Sequence, residues 1–252
     1  MNLKRAIRVW QRNATVYKKL YRSSLTLNFF EPMFYLLALG YGLGGFIREI
    51  NGMSYIDFIA PGIVMSSGMF AACYECTYGT YVRMFYQKTF DAILATPINF
   101  NELVLGELLW GATKSLIYGT IIVFVISFFG VVQSFYIAFI LPIIAICGLI
   151  FASLSLIATA IVPGIDSFNY FYTLILTPLF LFSGIFFPLD GMPEIVVKIS
   201  NINPLLHLVN ISRAFCYEQV SHILIYDLAI ILLYGIIFVP LPFILLKKRY
   251  VL

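Results

Sequence analysis

Ile121-Ile122-Val123-Phe124-Val125-Ile126 lies inside a stretch, residues 103–129, whose only charged side chains are Glu107 and Lys114. A half-buried strand would alternate apolar and polar residues, and the strands of a transmembrane barrel would do the same. This run does not alternate, and it is long enough for a helix across about 30 Å of hydrocarbon, which takes roughly 20 apolar residues. The rest of the chain repeats the pattern. Of 252 residues, 61% are apolar, 17% aromatic and only 11% charged, with a mean hydropathy of +0.94. A soluble domain carries about 25% charged residues, and surface-to-volume scaling would leave too much of this apolar surface wet. The same composition excludes disorder, collagen and a nucleic-acid-binding domain, so no nucleic-acid partner is expected. The fold class is an all-α integral membrane protein.

Apolar runs place six spans at about 27–47, 55–80, 103–129, 134–161, 168–187 and 222–246, within a single transmembrane domain covering 1–252. Residues 1–24 hold seven basic residues and no acidic one. Leu3, Ile7, Trp10, Ala14, Tyr17 and Tyr21 are spaced three or four apart between them, as on an amphipathic helix lying at a membrane surface. The basic stretch is too long for a signal peptide, and no small-residue cleavage site follows an apolar run. Lys and Arg in short loops set orientation. The amino-terminal arm, the 81–102 segment and the tail hold twelve, against Arg48, Lys198 and Arg213 on the other side. Both termini are therefore expected in the cytosol, and the span number is even. Pro188, Pro193 and Pro204 break residues 188–220 into pieces too short to cross. These read as short outer re-entrant helices or as a surface loop.

Between spans two and three, Arg83-Met84-Phe85-Tyr86-Gln87-Lys88-Thr89-Phe90-Asp91-Ala92-Ile93-Leu94-Ala95-Thr96-Pro97 is amphipathic. Phe85, Phe90, Ile93 and Leu94 make its apolar side; Gln87, Lys88 and Asp91 make its polar one. Pro97 should end the helix, and Asn99 with Glu102 has the spacing of a capping box opening span three. Such a helix over 83–97 can dock in a partner's groove or lie on lipid headgroups. Glu107, Gly111 and Lys114 share a face of span three, so Glu107 and Lys114 are expected to offset one another as a charged pair within the span. Gly111, Ser115 and Gly119, and likewise Gly40 and Gly44, form small-residue stripes suited to close helix packing.

Chemistry is sparsely represented. Cys73-x-x-Cys76 lies within a span without a second pair, so packing is favoured over zinc. Gly106 to Ser115 only loosely mimics a phosphate loop, with Lys114 two positions late and no preceding strand. No ATPase site, catalytic constellation, metal site or cofactor site is assigned to this chain.

Several strings nevertheless resemble the ABC-2 family of ABC-transporter permeases. They are Gln87 to Pro97, Gly106-Glu107 with Trp110-Gly111-Ala112, Ala60-Pro61-Gly62, Tyr74 to Gly79, Asp166-x-Phe168-Asn169-Tyr170, and Thr177 to Leu189. Within the family the likeness is to a subgroup associated with lipo-oligosaccharide export. The resemblance implies a six-span permease of the cytoplasmic (inner) membrane with an amino-terminal interface helix, pairing with a second permease subunit as a homodimer. It also implies cytosolic ATPase subunits that bind ATP and Mg. Residues 83–97 then correspond to the coupling helix, with Phe85, Lys88, Phe90, Asp91, Leu94 and Pro97 as its coupling residues. Residues 188–213 correspond to paired outer re-entrant helices. The cargo is expected to be an amphipathic glycolipid, lipo-oligosaccharide, polysaccharide or drug. Tyr74, Tyr78, Tyr81, Phe168, Tyr170 and Tyr172 are candidates for its path, each with the alternative role of an interfacial aromatic. An intramembrane enzyme acting on lipid-linked substrates and a proton-coupled carrier stay open as rival readings.

Overall fold

A computed structural model describes residues 1–47, 49–50, 52–131, 135–217 and 222–251. Among them secondary structure is helical apart from one isolated bridge, Ile50 to Met53. Helix α1, Leu3–Tyr35, continues through a π-helical stretch, Leu36–Gly42, into a 3₁₀ turn, Leu43–Gly45. The expected interface helix and first span are thus one uninterrupted rod. Helix α2, Tyr55–Tyr74, starts at the Ser54 cap and extends by π turns over Glu75–Gly79 and Val82–Tyr86. After the short α3, Thr89–Leu94, come α4, Phe100–Phe128, and α5, Ile140–Ile161.

Four helical stretches among the described residues are long and apolar enough to cross a membrane: Tyr55–Tyr86, Phe100–Phe128, Tyr136–Ile161 and Leu224–Tyr250. The expected fifth span is shorter than its sequence suggested. Helix α6, Phe168–Phe171, a π turn at Tyr172–Leu176 and α7, Thr177–Leu181, follow one another directly. Together they rise only about 21 Å at roughly 1.5 Å per residue. The chain then bends, and Gly184 takes a positive φ of 69°. Two short helices follow, α8, Glu194–Ser200, and α9, Pro204–Tyr217. They precede α10, His222–Phe238, and α11, Leu241–Val251.

Helix α2 is the hub, packed on α4, α5 and α9. The glycine stripes explain how closely these helices approach. A Cβ on Gly111 would meet Cys76 Sγ at 2.6 Å and Ala152 Cβ at 2.7 Å, and one on Gly148 would meet the Ala112 Cα at 2.7 Å. All four cysteines are buried and unpaired, as packing residues should be. Because the Gly148 contact includes backbone, neighbouring rotamers cannot relieve it. Gly148→Val should cost about 3 kcal/mol, the upper range for overpacking, measured as a lower unfolding midpoint in detergent. An unchanged midpoint would mean α4 and α5 are not held together here.

Helix α9 is pinned from several sides. Arg213 donates to the carbonyls of Phe58 (3.1 Å) and Gly184 (2.6 Å). The ring nitrogens of buried His207 lie 2.6 Å from Asp227 Oδ1 and 2.9 Å from the Asn201 carbonyl.

Candidate functional site

The amino-terminal arm lies on α4 through its small and polar side. Ala6, Val9 and Asn13 are buried, while Leu3 and Ile7, two members of the expected greasy stripe, stay exposed. Gly106 makes this approach possible, since a Cβ there would meet Val9 Cβ at 2.5 Å. The capping box that opens α4 is formed, with Asn99 Oδ1 accepting from the Glu102 amide at 3.0 Å and Glu102 Oε2 from the Asn99 amide at 3.0 Å. Glu102 Oε1 also accepts the Asn2 amide at 2.8 Å. Trp10 Nε1 donates to Thr113 Oγ1 at 2.8 Å, and Asn13 Nδ2 to Glu107 Oε1 at 2.8 Å.

Glu107 and Lys114 do not pair with each other. Arg83 bridges two carboxylates instead, Nη2 to Glu107 Oε2 at 2.6 Å and Nη1 to Glu75 Oε1 at 2.6 Å. Lys114 Nζ stands 3.6 Å from the other oxygen of Glu75 and 4.2 Å from the Tyr17 ring centroid. The Thr80 hydroxyl donates to Glu107 Oε2 at 2.9 Å. Glu75, Gly79 and Arg83 succeed one another at four-residue intervals on the extended α2. A Cβ on Gly79 would lie 3.0 Å from Glu75 Oε1 and 3.3 Å from Arg83 Nη1, so glycine keeps the space in which the pair closes. Buried ions cost several kcal/mol each to desolvate, so the attraction within the cluster must be supported by these added hydrogen bonds.

Beyond Arg83 the chain turns sharply. Lys88 takes a left-handed conformation with φ 53°, and this divides the helix expected over 83–97. Residues up to Tyr86 finish α2, and only Thr89–Leu94 form a separate helix. Phe90 is fully buried among Met84, Leu103, Val104 and Leu108. It is therefore not an anchor for a partner's groove, because this side of α3 is already covered by the chain itself. Leu94 and Phe85 are half-buried, and the surface of the elbow is made by Lys88, Asp91, Ala92, Ala95 and Pro97. The Tyr250 hydroxyl bonds Asp91, and Arg12 Nη2 donates to Thr89 Oγ1 at 3.3 Å. The elbow is thus tied to both ends of the chain.

Three of the expected path aromatics come together. Tyr74 and Tyr172 stack with centroids 4.9 Å apart and planes 19° apart, and Tyr78 stacks on Tyr172 at 5.8 Å. Thr77 Oγ1 lies 3.0 Å from the Tyr172 hydroxyl. Phe168 and Tyr81 are buried behind the stack, with Phe168 edge-on to Tyr78 at 5.1 Å. Tyr170 points outward as an exposed side chain. Tyr74 also joins the wall of an open groove of about 910 Å³ lined by Phe30, Glu31, Phe34, Tyr35 and Leu39. An aromatic surface therefore runs from α1 across α2 to the π turn after α6.

Residues 5–217 match the ABC-2 type transporter family. The chain belongs to this family. It is 39% identical over 207 residues to Nodulation protein J of Sinorhizobium fredii, covering 82% of this chain and 79% of that protein. To Nodulation protein J of Azorhizobium caulinodans it is 32% identical over 210 residues, 83% of each chain. A more distant relative is the inner membrane transport permease YadH of Escherichia coli, 21% identical over 202 residues and covering 80% of this chain and 78% of that protein. This ABC-2 protein is accordingly a membrane-embedded transport permease rather than an enzyme, of a kind that works with an ATPase subunit.

Set beside the sequence reading, the ABC-2 chain adds Glu75, Arg83, Asn13 and the groove residues Phe30, Glu31, Phe34 and Tyr35. One available signal was Glu75-x-x-x-Gly79-x-x-x-Arg83, opposite charges two turns apart around a glycine. The groove gave no such sign, because its wall joins residues of α1 to Tyr74 at the end of α2, which only the fold brings together.

Proposed function

We propose that this chain is one permease half of an ABC exporter that moves an amphipathic glycolipid, lipo-oligosaccharide, polysaccharide-like molecule or drug outward across the cytoplasmic membrane. Two copies pair as a homodimer, the arrangement that closed symmetry favours. A separate cytosolic ATPase binds ATP and Mg and supplies the work. The chain crosses six times with both termini in the cytosol, α8 and α9 dip into the outer leaflet, and exposed Leu3 and Ile7 of the arm rest in lipid. The path runs between α1, α2 and the segment after α6 of facing copies. The exposed elbow face of Lys88, Asp91, Ala92 and Ala95 receives the ATPase, and the Glu75–Arg83–Glu107–Lys114 cluster ties that elbow to α1 and α4.

The observation that carries this reading is the tyrosine stack of Tyr74, Tyr78 and Tyr172 opening into the aromatic groove. Flat aromatic faces accept sugar rings, and the flanking apolar wall accepts an acyl chain. Loss of an aromatic pair costs about 0.5–1.5 kcal/mol, and 1.4 kcal/mol is about tenfold in affinity. Tyr74→Ala should therefore weaken cargo affinity about tenfold in a proteoliposome export assay, without changing yield. The decisive experiment is co-purification followed by reconstitution. An ATPase should accompany the chain, and export should follow ATP. Export that follows a proton gradient and ignores ATP would establish the carrier reading instead.

A further inference from the structure

Glu31 is a carboxylate with no compensating charge among the described residues. It projects from α1 into the groove between Phe30, Phe34, Tyr35 and Tyr74. Among the described residues it has neither an ion pair nor a hydrogen bond. The other acidic residues toward the middle of the helices behave differently, Glu75 and Glu107 each being held by Arg83. Beneath Glu31 the groove deepens into a recess floored by Ser66, Ser67 and Phe180. Ser67 is 5% exposed, and its hydroxyl has no hydrogen-bond partner. An ionisable side chain at membrane depth is costly and marks a functional position by default. Here the missing partner is a cation, and the surrounding ring faces are themselves attractive to one.

We propose that the groove is a binding site for cationic amphiphiles. The positively charged head sits at Glu31 against the faces of Tyr35 and Tyr74, with the Ser67 hydroxyl available to a donor or acceptor on the head. The alkyl tail lies along Phe30, Phe34 and Leu39. Of the occupants an aromatic groove admits, this one matches its charge. A neutral glycoside would leave the carboxylate uncompensated, and an anionic amphiphile would be repelled. The inference rests on the reading of the groove as part of the cargo path and narrows the cargo named above to its cationic members, a positively charged drug or a glycolipid bearing a basic amino group, to the exclusion of neutral glycolipids and polysaccharides.

The test uses the full-length chain in nanodiscs of neutral phospholipid. Phe34 is 61% exposed on the groove wall, and the four native cysteines are buried. A maleimide should therefore label Phe34→Cys above a low background. Dodecyltrimethylammonium below its micellar concentration should slow labelling at least tenfold, while dodecyl maltoside and dodecyl sulfate should not. Adding Glu31→Gln should abolish protection while leaving the unliganded labelling rate unchanged, and Glu31→Asp, which keeps the charge, should restore it. Equal protection by the three amphiphiles, or protection that survives Glu31→Gln, overturns the proposal. So does a Phe34→Cys that never labels, since a second copy would then fill the groove. No nucleotide or ATPase is needed, so ammonium-specific protection in a chain that no ATPase drives to export would refute the export reading alone.

Discussion

Arg83→Met should be among the most destabilising single substitutions in this protein, costing about 3–5 kcal/mol, the penalty for breaking a buried ion pair from one side. The guanidinium is 12% exposed and the Glu107 carboxylate 1%. Removing it leaves Glu107 buried with, among the described residues, the Thr80 hydroxyl and the Asn13 amide as its side-chain donors, and it leaves Lys114, at 3.6 Å, as the remaining cation beside Glu75. Arg83→Lys should fall between, because an ammonium cannot span two carboxylates as a planar fork does. Adding Glu107→Met to Arg83→Met should recover much of the loss, since an apolar replacement of both partners removes the uncompensated charge. Thermal unfolding of the purified chain in detergent measures all three. An Arg83→Met midpoint equal to that of the parent chain would show that the carboxylates are hydrated or protonated rather than paired.

The sequence is most explicit where one local rule decides the outcome. Uninterrupted apolar runs dictate the membrane class, because no other solvent can receive them. Asn99 and Glu102 dictate the start of α4 through two reciprocal hydrogen bonds between near neighbours. Small residues at Gly111 and Gly119 announce close packing, against Cys76 and Ala152 and against Ile144. Where two surfaces compete for the same side chain, spacing is insufficient. The stripe that begins with Leu3 and Ile7 identifies an amphipathic helix, yet α4, besides reaching Trp10 of the stripe through Thr113, takes the adjacent face of Ala6, Val9 and Asn13. Gly106 offers the depth for that contact, and Asn13 meets a carboxylate there.

The charge cluster was hidden for a related reason. Glu107 and Lys114 are seven positions apart on one helix, and that regularity invites an internal pair. The actual partner, Arg83, comes from the end of α2, which π turns carry beyond the boundary that apolarity alone would set. The ion pairs join the extended α2 to α4, and the Asn13 hydrogen bond brings in α1 as a third helix. The arm, α2 and α4 are thereby linked, since Arg83 holds Glu107 and Glu107 holds Asn13.

The same competition for side chains separates folding from coupling at the elbow. Amphipathicity shows that Phe85, Phe90, Ile93 and Leu94 share a side, but not whether that side meets a partner or the chain itself. The fold settles this for Phe90, which is wholly buried. Phe90→Ala should therefore cost about 3–5 kcal/mol, as aromatic truncation in a core does, and should lower the unfolding midpoint whether or not the ATPase is present. Asp91→Arg should act differently. Asp91 is exposed and, among the described residues, its side chain bonds the Tyr250 hydroxyl alone, so its reversal of charge leaves the core intact and places a cation on the face proposed to receive the ATPase. ATP-driven export in reconstituted vesicles should fall at least tenfold with the midpoint nearly unchanged. Tyr250→Phe, which removes the bond and keeps the carboxylate, separates charge from anchoring and should retain most export. If Asp91→Arg exports at the parent rate, this face of the elbow is not where the ATPase engages. The transmitted motion would then have to enter elsewhere, and the amino-terminal arm, already fastened to α4 by Asn2, Trp10 and Asn13, is the other element joined to the same cluster.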